Sequence, residues 1–206
     1  MKDFIRNVFC IVQFLFVSPL LILFFLTTQQ EVILADVRRW IQLLDCTDRS
    51  DLINLLSLLT QLKEFRNLYY YRLFKGNLIA KLAMYLLKFF YKECPSLFIT
   101  TSCNIGAGLF IQHGFSTIIM ADIGENCWIN QQVTIGYKDK TGRPKIGNNV
   151  RISAGAKVLG SICIGDNVTV GANAVVVKNV PDNCVVVGVP AYIMKRNGVK
   201  VKEELV

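Results

Sequence analysis

This 206-residue chain carries a single histidine, His113, and only 18% of its residues are charged, so acid–base chemistry has few places to reside. One histidine excludes a histidine-rich metal site, and the seven cysteines (10, 46, 94, 103, 127, 163, 184) show neither CxxC nor Cys/His ligand spacing. No metal is therefore expected. A basic stripe is missing too: the net charge of +8 divides into +4 over residues 1–95 (12 basic, 8 acidic) and +4 over residues 96–206 (11 basic, 7 acidic). So even a spread argues against nucleic acid and suits an anionic cofactor or an acidic membrane surface. With 52% hydrophobic residues the chain can build a packed core, which excludes disorder. The cysteines read as reduced core thiols of a cytosolic protein, Cys127 and Cys163 falling on or beside inward positions of the repeat that follows.

What the chain does have is a period of six. From Ile105 the positions six apart are Ile105, Ile111, Thr117, Ile123, Ile129 and Ile135, then Ile146, Ile152, Val158, Ile164, Val170 and Val176. A second inward set follows four residues after each: Leu109, Phe115, Ala121, Cys127 and Val133, then Val150, Ala156, Ile162, Val168, Ala174 and Val180. Six residues are too few for a helical repeat, and β-branched positions between Gly, Asn and Asp turns describe a parallel β-helix. Three hexamers close one triangular coil, so residues 18 apart should stack at the ~4.8 Å strand spacing. The register breaks once, between Ile135 and Ile146, where eleven residues replace six; the polar Tyr137–Arg143 insert predicts a loop thrust out of the coil.

The first half is helical in pattern. Residues 8–26 form an uncharged apolar run with Pro19 as its main interruption, close to the ~20 residues a bilayer span requires. A spanning, interface-lying or oligomer-packing helix all fit it, whereas no cleavage site follows to make it a signal peptide. Helices are predicted over Glu31–Leu44 and Asp51–Leu62, with Asp48 and Ser50 as caps, and over Asn77–Lys92. The aromatic segment Glu64–Tyr71 reads as a packing stripe or an acceptor wall. The fold class is thus α+β: a helical region with its hydrophobic N-terminal helix over 1–95, a β-helix over 96–190 and a charged C-terminal tail over 191–206.

His113 occupies an outward position of its hexamer. Counting 18 residues per coil, plus five for the insert, its column continues through Gln131, Ala154 and Ala172. Two alanines leave a groove beside backbone amides, wide enough for a thin extended ligand with a base near one end. Cys103 and Cys127 have no second histidine to activate them as nucleophiles.

These residues resemble a known family, the left-handed β-helix hexapeptide acyltransferases, and within it the serine acetyltransferases. The resemblance runs from about Ser96 to Asn197 and rests on Phe110–Gly114, Asn130–Gly136, Pro144–Gly147, Ala154–Gly160, Gly171–Val176 and Gly188–Ala191. It implies a left-handed coil, a homotrimer whose trimers could pair, and acetyl-CoA as donor. It also implies His113 as general base for an acceptor hydroxyl, with Gly136, Ala154 and Ala172 lining the coenzyme groove. A neutral imidazole can take the hydroxyl proton as oxygen attacks the thioester, and a backbone N–H near Gly136 could meet the oxyanion.

The family places an acidic residue just before that histidine and a second histidine before the loop proline; here these are Gln112 and Arg143. Without the carboxylate a serine ammonium loses its ion pair. A sugar hydroxyl, for example of a surface polysaccharide precursor, becomes as reasonable an acceptor as L-serine. Gln112, Gln131 and Arg143 are the substrate-binding candidates, and Lys195 is a candidate for the coenzyme phosphates. The donor implies a cytoplasmic enzyme, at the inner face of the membrane if residues 8–26 attach it. Two alternatives remain at this point: a non-catalytic β-helix scaffold and a sugar N-acetyltransferase.

Overall fold

A computed structural model of the protein describes Val12, residues 14–46 and residues 49–205. Asp48, one of the expected caps, and part of the 8–26 segment lie outside them. The chain divides into two compact units, Met1–Cys94 and Pro95–Val206.

The first unit contains helices α1 (Pro19–Leu26), α2 (Gln30–Leu43), α3 (Asp51–Gln61), α4 (Lys63–Lys75) and α5 (Leu78–Lys88). Pro19 sits at the first helical position of α1, where its missing N–H is not needed. Ser50 occupies the N-cap of α3 without a side-chain capping bond, while Asn77 caps α5 by accepting from the Ala80 amide at 2.9 Å. The aromatic segment that begins at Glu64 belongs to α4, and Phe65 and Asn67–Leu73 are all buried. A helix buried on every side has no amphipathic period to betray it. Tyr69 hydroxyl reaches the Leu20 carbonyl at 2.8 Å, the Trp40 and Phe65 rings meet edge to face at 5.1 Å, and Arg72 Nε donates to Asp36 at 2.8 Å. These contacts make Glu64–Tyr71 a packing element. Among the described residues no helix is long and apolar enough to cross a membrane.

The second unit is a parallel β-helix with three sheets. One orders β1 (Leu97–Ile99), β3 (Thr117–Ile119), β6 (Thr134–Gly136), β9 (Lys157–Leu159) and β12 (Val175–Val176). A second joins β4 (Asp122–Ile123), β7 (Lys145–Ile146) and β10 (Cys163–Ile164). The third runs through β2 (Phe110–Ile111), β5 (Trp128–Ile129), β8 (Arg151–Ile152), β11 (Thr169–Val170) and β13 (Cys184–Val187), and ends with β14 (Tyr192–Arg196) and β15 (Val199–Glu204). Three apolar columns fill the interior: Ile105, Ile123, Ile146, Ile164 and Val180; Ile111, Ile129, Ile152, Val170 and Val186; and Ile119, Ile135, Val158 and Val176.

Backbone pairing corrects the six-residue count in three places. The third column begins its β3 member at Ile119, paired with Ile135, and not at Thr117. Thr117 is the single expected column residue that is neither Ile nor Val. It is buried, but two residues away from the slot assigned to it. Phe115, expected inside, is 46% exposed. Val180 is buried as expected, yet it pairs with Ile164 as a strand residue, because two residues are dropped between Val176 and Val180.

Two corners carry the left-handed backbone that lets each coil turn. Gly108, Asn126, Asn149, Asn167 and Asn183 stack at one corner with φ between 55° and 78°, and asparagine carboxamides bond up the stack, Asn149 to Asn167 at 3.3 Å and Asn167 to Asn183 at 3.1 Å. Asparagine tolerates this conformation because its short polar side chain bonds locally. Close approach demands glycine elsewhere: a Cβ on Gly124 would stand 2.7 Å from the Gly147 backbone.

Residues 191–206, expected to form a charged tail, hold β14 and β15, which pair antiparallel to β13 and to each other. Their alternation of Val, Lys and Glu is that of a strand pair with one solvated face. Of the cysteines, Cys103, Cys127 and Cys184 are buried, whereas Cys46 and Cys163 are exposed, so the core reading fails for these two. Cys163 lies on β10 beside the inward Ile164, and alternation turns it outward.

Candidate active site

His113 does not head the column that the hexapeptide count gave it. The Gln112 amide still bonds to Ile129 at 2.9 Å in the regular register, but the next corner bond runs from the Gln132 amide to the Phe115 carbonyl at 3.1 Å. Equivalent corner bonds above it run from Gly155 to Gln131 at 3.0 Å and from Asn173 to Ala154 at 3.0 Å. Phe115, Gln131, Ala154 and Ala172 therefore form the column, and His113 with Gly114 is a two-residue insertion beneath it. The same surplus appears in the strands: Ile111 pairs 18 residues on with Ile129, Ile119 only 16 on with Ile135.

The insertion turns on His113 itself, which adopts φ 53° and is exposed. A left-handed histidine is uncommon, and such backbone positions gather at functional sites. A backbone turn thus projects its imidazole outward.

Beside the insertion, polar side chains stack in register from one coil to the next. Asn130 Nδ2 donates to Gln112 Oε1 at 3.0 Å, leaving the Gln112 amide group free to donate outward. Asn130 Oδ1, Gln131 Oε1 and Trp128 Nε1 are buried atoms without a hydrogen-bond partner. Buried polar atoms are nearly always paired, with protein, water or ligand. Trp128 is held edge to face on Phe110 at 5.2 Å, and the Arg151 guanidinium lies 4.3 Å from its ring centroid.

The other sequence candidates fall at different places. Ala154 is half-buried and Ala172 exposed on the shared column. Gly136 closes β6 on a different sheet, buried, its carbonyl accepting from the Gly160 amide at 2.9 Å. Lys195 sits on β14, opposite Val185, five strand steps from β2, or about 24 Å at ~4.8 Å per step. It can serve the far end of an extended ligand but not the chemistry at His113. Arg143 is occupied: Nη1 donates to Ser102 Oγ at 2.9 Å, and Nη2 donates to the Ser102 carbonyl at 3.1 Å and to Asp122 at 3.0 Å. Those bonds anchor the end of the Tyr137–Pro144 connection to the coil below, a role that the sequence did not indicate.

Sequence reasoning also missed the Phe110–Trp128–Arg151 stack and the Gln112–Asn130 pair. Both could have been found by extending the 18-residue and 23-residue steps to outward positions. Two clefts of about 370 and 400 Å³ lie at the C-terminal end of the unit. Lys178, in the first, donates to the Leu205 carbonyl at 2.8 Å. Cys127 is no nucleophile, since burial pushes its thiol up to about 11. Among the described residues no cluster of His, Cys, Asp and Glu could hold a metal ion.

Comparison with known proteins agrees with this geometry. Residues 143–178 match the family described as bacterial transferase hexapeptide (six repeats). The serine acetyltransferase of Staphylococcus aureus (strain Mu50) is 47% identical over 108 residues, which is 50% of this chain and 51% of that protein. The chain spans about half the length of the curated relatives it matches. Among solved structures, Neisseria gonorrhoeae serine acetyltransferase in complex with serine is similar with a TM-score of 0.64 and 30% identity over 81% of this chain and 69% of that one. Brucella abortus serine acetyltransferase in complex with coenzyme A gives a TM-score of 0.60 and 27% identity over 81% and 68%. From its stacked hexamers, its displaced histidine and these likenesses, the chain belongs to the hexapeptide-repeat acyltransferase family and resembles the serine acetyltransferases within it.

Proposed function

We propose that the protein is an acetyl-CoA-dependent O-acetyltransferase with His113 as general base. The observation that carries this reading is the two-residue insertion, which lifts the one imidazole of the chain off a regular coil at the foot of the Gln131–Ala154–Ala172 column. A ring nitrogen of His113 takes the proton of an acceptor hydroxyl while that oxygen attacks the thioester carbonyl. The tetrahedral intermediate collapses, the carbon–sulfur bond breaks, and the imidazolium returns the proton to the leaving coenzyme A thiolate. No covalent enzyme intermediate is needed, because the thioester is already activated.

The pantetheine arm lies along Ala154 and Ala172, with Gly136 beside the reacting end and Lys195 toward the phosphates. Gln112, bonded to Asn130, and Gln131 face the acceptor. The Tyr137–Arg143 loop stands out of a left-handed coil, and Arg143 holds it in place. The reading includes a homotrimer, which the resemblance to the hexapeptide acyltransferases implies. The donor puts the coil on the cytoplasmic side.

L-serine is the acceptor acted on by the similar enzymes' name. A sugar hydroxyl is the second reading, favoured by Gln112: a carboxamide donor suits a hydroxyl better than an ammonium. Release of coenzyme A thiol with acetyl-CoA and a panel of serine, homoserine, sugars and nucleotide sugars tests both. Turnover with serine alone excludes the sugar reading; thiol release with no acceptor in the panel, or acetyl-CoA that fails to bind, refutes the enzyme.

A further inference from the structure

The amphipathic helix α5 is mounted with its apolar stripe facing outward. Leu78, Ile79, Leu82, Tyr85, Leu86, Phe89 and Phe90 are all exposed, Leu86 and Phe89 at about three quarters of their surface (74% and 75%), whereas Ala80 and Met84 face the unit. Spacing of 1, 3 and 4 residues places the exposed set on one continuous face. The adjoining α1 extends it with Ile22, Phe25 and Leu26, and the two helices are tied at both ends by Asn77 Nδ2 to the Leu26 carbonyl at 2.8 Å and Tyr91 hydroxyl to the Phe16 carbonyl at 2.7 Å. Monomeric soluble proteins rarely leave so many large apolar side chains together in water.

The charge around this face is mainly basic, with Glu93 as the acidic residue beside it. Residues 65–92 contain no Asp or Glu and six basic residues, and α1 with its flanks over 14–30 carries no charge. Helical geometry sets Lys81 and Lys88 along one edge of the stripe, beside Tyr85. Lys81 lies 3.8 Å from the Phe74 ring centroid, and Lys88 pairs with Glu93 at 2.6 Å, so both stems are held at that edge. A two-fold pairing of identical faces would set these lysines against each other. Anionic lipid headgroups complement them, and acyl chains accept the Leu, Ile and Phe tips. We propose that α5, with α1, lies in the plane of an anionic bilayer surface and docks the protein there through Leu82, Leu86, Phe89 and the Lys81–Lys88 edge. Such helices bind by apolar insertion plus attraction to acidic lipid. The docking stands independently of the acyl-transfer reading.

Flotation of the full chain with vesicles tests it. The protein should float with phosphatidylglycerol/phosphatidylcholine vesicles, far less with phosphatidylcholine alone, and less as salt rises. Lys81→Gln with Lys88→Gln should weaken partitioning by about fivefold for each lysine removed. Leu82→Ser/Leu86→Ser/Phe89→Ser should lower it more than tenfold, with unchanged far-ultraviolet circular dichroism showing that the helices persist. Failure to float with anionic vesicles overturns the proposal, as does a triple variant that floats like the parent. A triple variant whose only change is a smaller particle mass by light scattering assigns the face to a second copy and also overturns it.

Discussion

The Phe115 amide donates to the His113 carbonyl at 2.7 Å, and this bond closes the two-residue insertion that separates the imidazole from the regular coil. Phe115 then resumes the column as if the insertion were absent.

His113→Asn should leave the fold and acetyl-CoA binding intact and reduce kcat by roughly 10²–10⁴, the usual contribution of a positioned base. Initial rates of thiol release, alongside calorimetric titration with acetyl-CoA, check the two halves separately. Deleting His113 and Gly114 together should restore the six-residue step, giving an unfolding midpoint close to the parent with activity lost. A deletion variant that keeps turnover would remove His113 from the mechanism.

Asn167 bonds to the stacked asparagines on both sides at φ 57°. Asn167→Ala should destabilise the β-helix by about 1–3 kcal/mol, from left-handed strain and lost side-chain bonds. Asn167→Gly should cost less, since glycine restores the backbone freedom but not the bonds. Chemical denaturation of the three proteins separates these two contributions.

Arg72 and Asp36 form an ion pair with 3% and 2% of their side-chain surfaces exposed. Removing one partner by Asp36→Leu should cost about 3–5 kcal/mol, because a charge is left buried and uncompensated. The double change Asp36→Leu/Arg72→Met should recover most of that loss. A thermal melt in which the double variant is no better than either single one would contradict this.

Burial raises the Cys127 thiol from 9.0 to about 11 and raises the Tyr69 and Tyr70 hydroxyls above their ordinary 10.0. All three groups hold their protons more tightly when folded. Their contribution to stability is complete below about pH 9 and is lost as pH climbs through the folded values, by about 1.4 kcal/mol per pH unit for each titrating group. Denaturation midpoints should hold between pH 8 and about 9 and fall from there to pH 11. In the same range a thiol reagent should modify the exposed Cys46 and Cys163 first and reach Cys127 only as the fold opens.

The six-residue period determined, from sequence alone, that the second half is a β-helix and where its long insertion falls. Register confirms the surplus: Phe110 pairs 18 residues on with Trp128, whereas Trp128 and Thr134 pair 23 residues on with Arg151 and Lys157, across the Tyr137–Pro144 connection. The insertion at 113–114 was invisible to the same count, because Thr117 could pass as a weak column residue and Phe115 as an apolar one. Hydrophobicity says that a residue can face inward; only pairing of the backbone says that it does.

Helices α2, α3 and α5 were legible within a few residues at their ends. Helix α4 was not, since it is buried nearly all round, and neither were β14 and β15, whose charges resemble those of a solvated tail. For α5 the stripe was plain in the sequence, but its outward direction was decided by packing. An amphipathic pattern specifies two faces and leaves the neighbours of each undetermined. Here Ala80 and Met84 fit against the unit while Leu82, Leu86 and Phe89 remain outside. Composition and period thus fixed which residues could do chemistry or bury surface. Tertiary register and packing chose which of them stand at the surface, because a shift of two residues or a rotation of one helix changes no local propensity and moves every side chain involved.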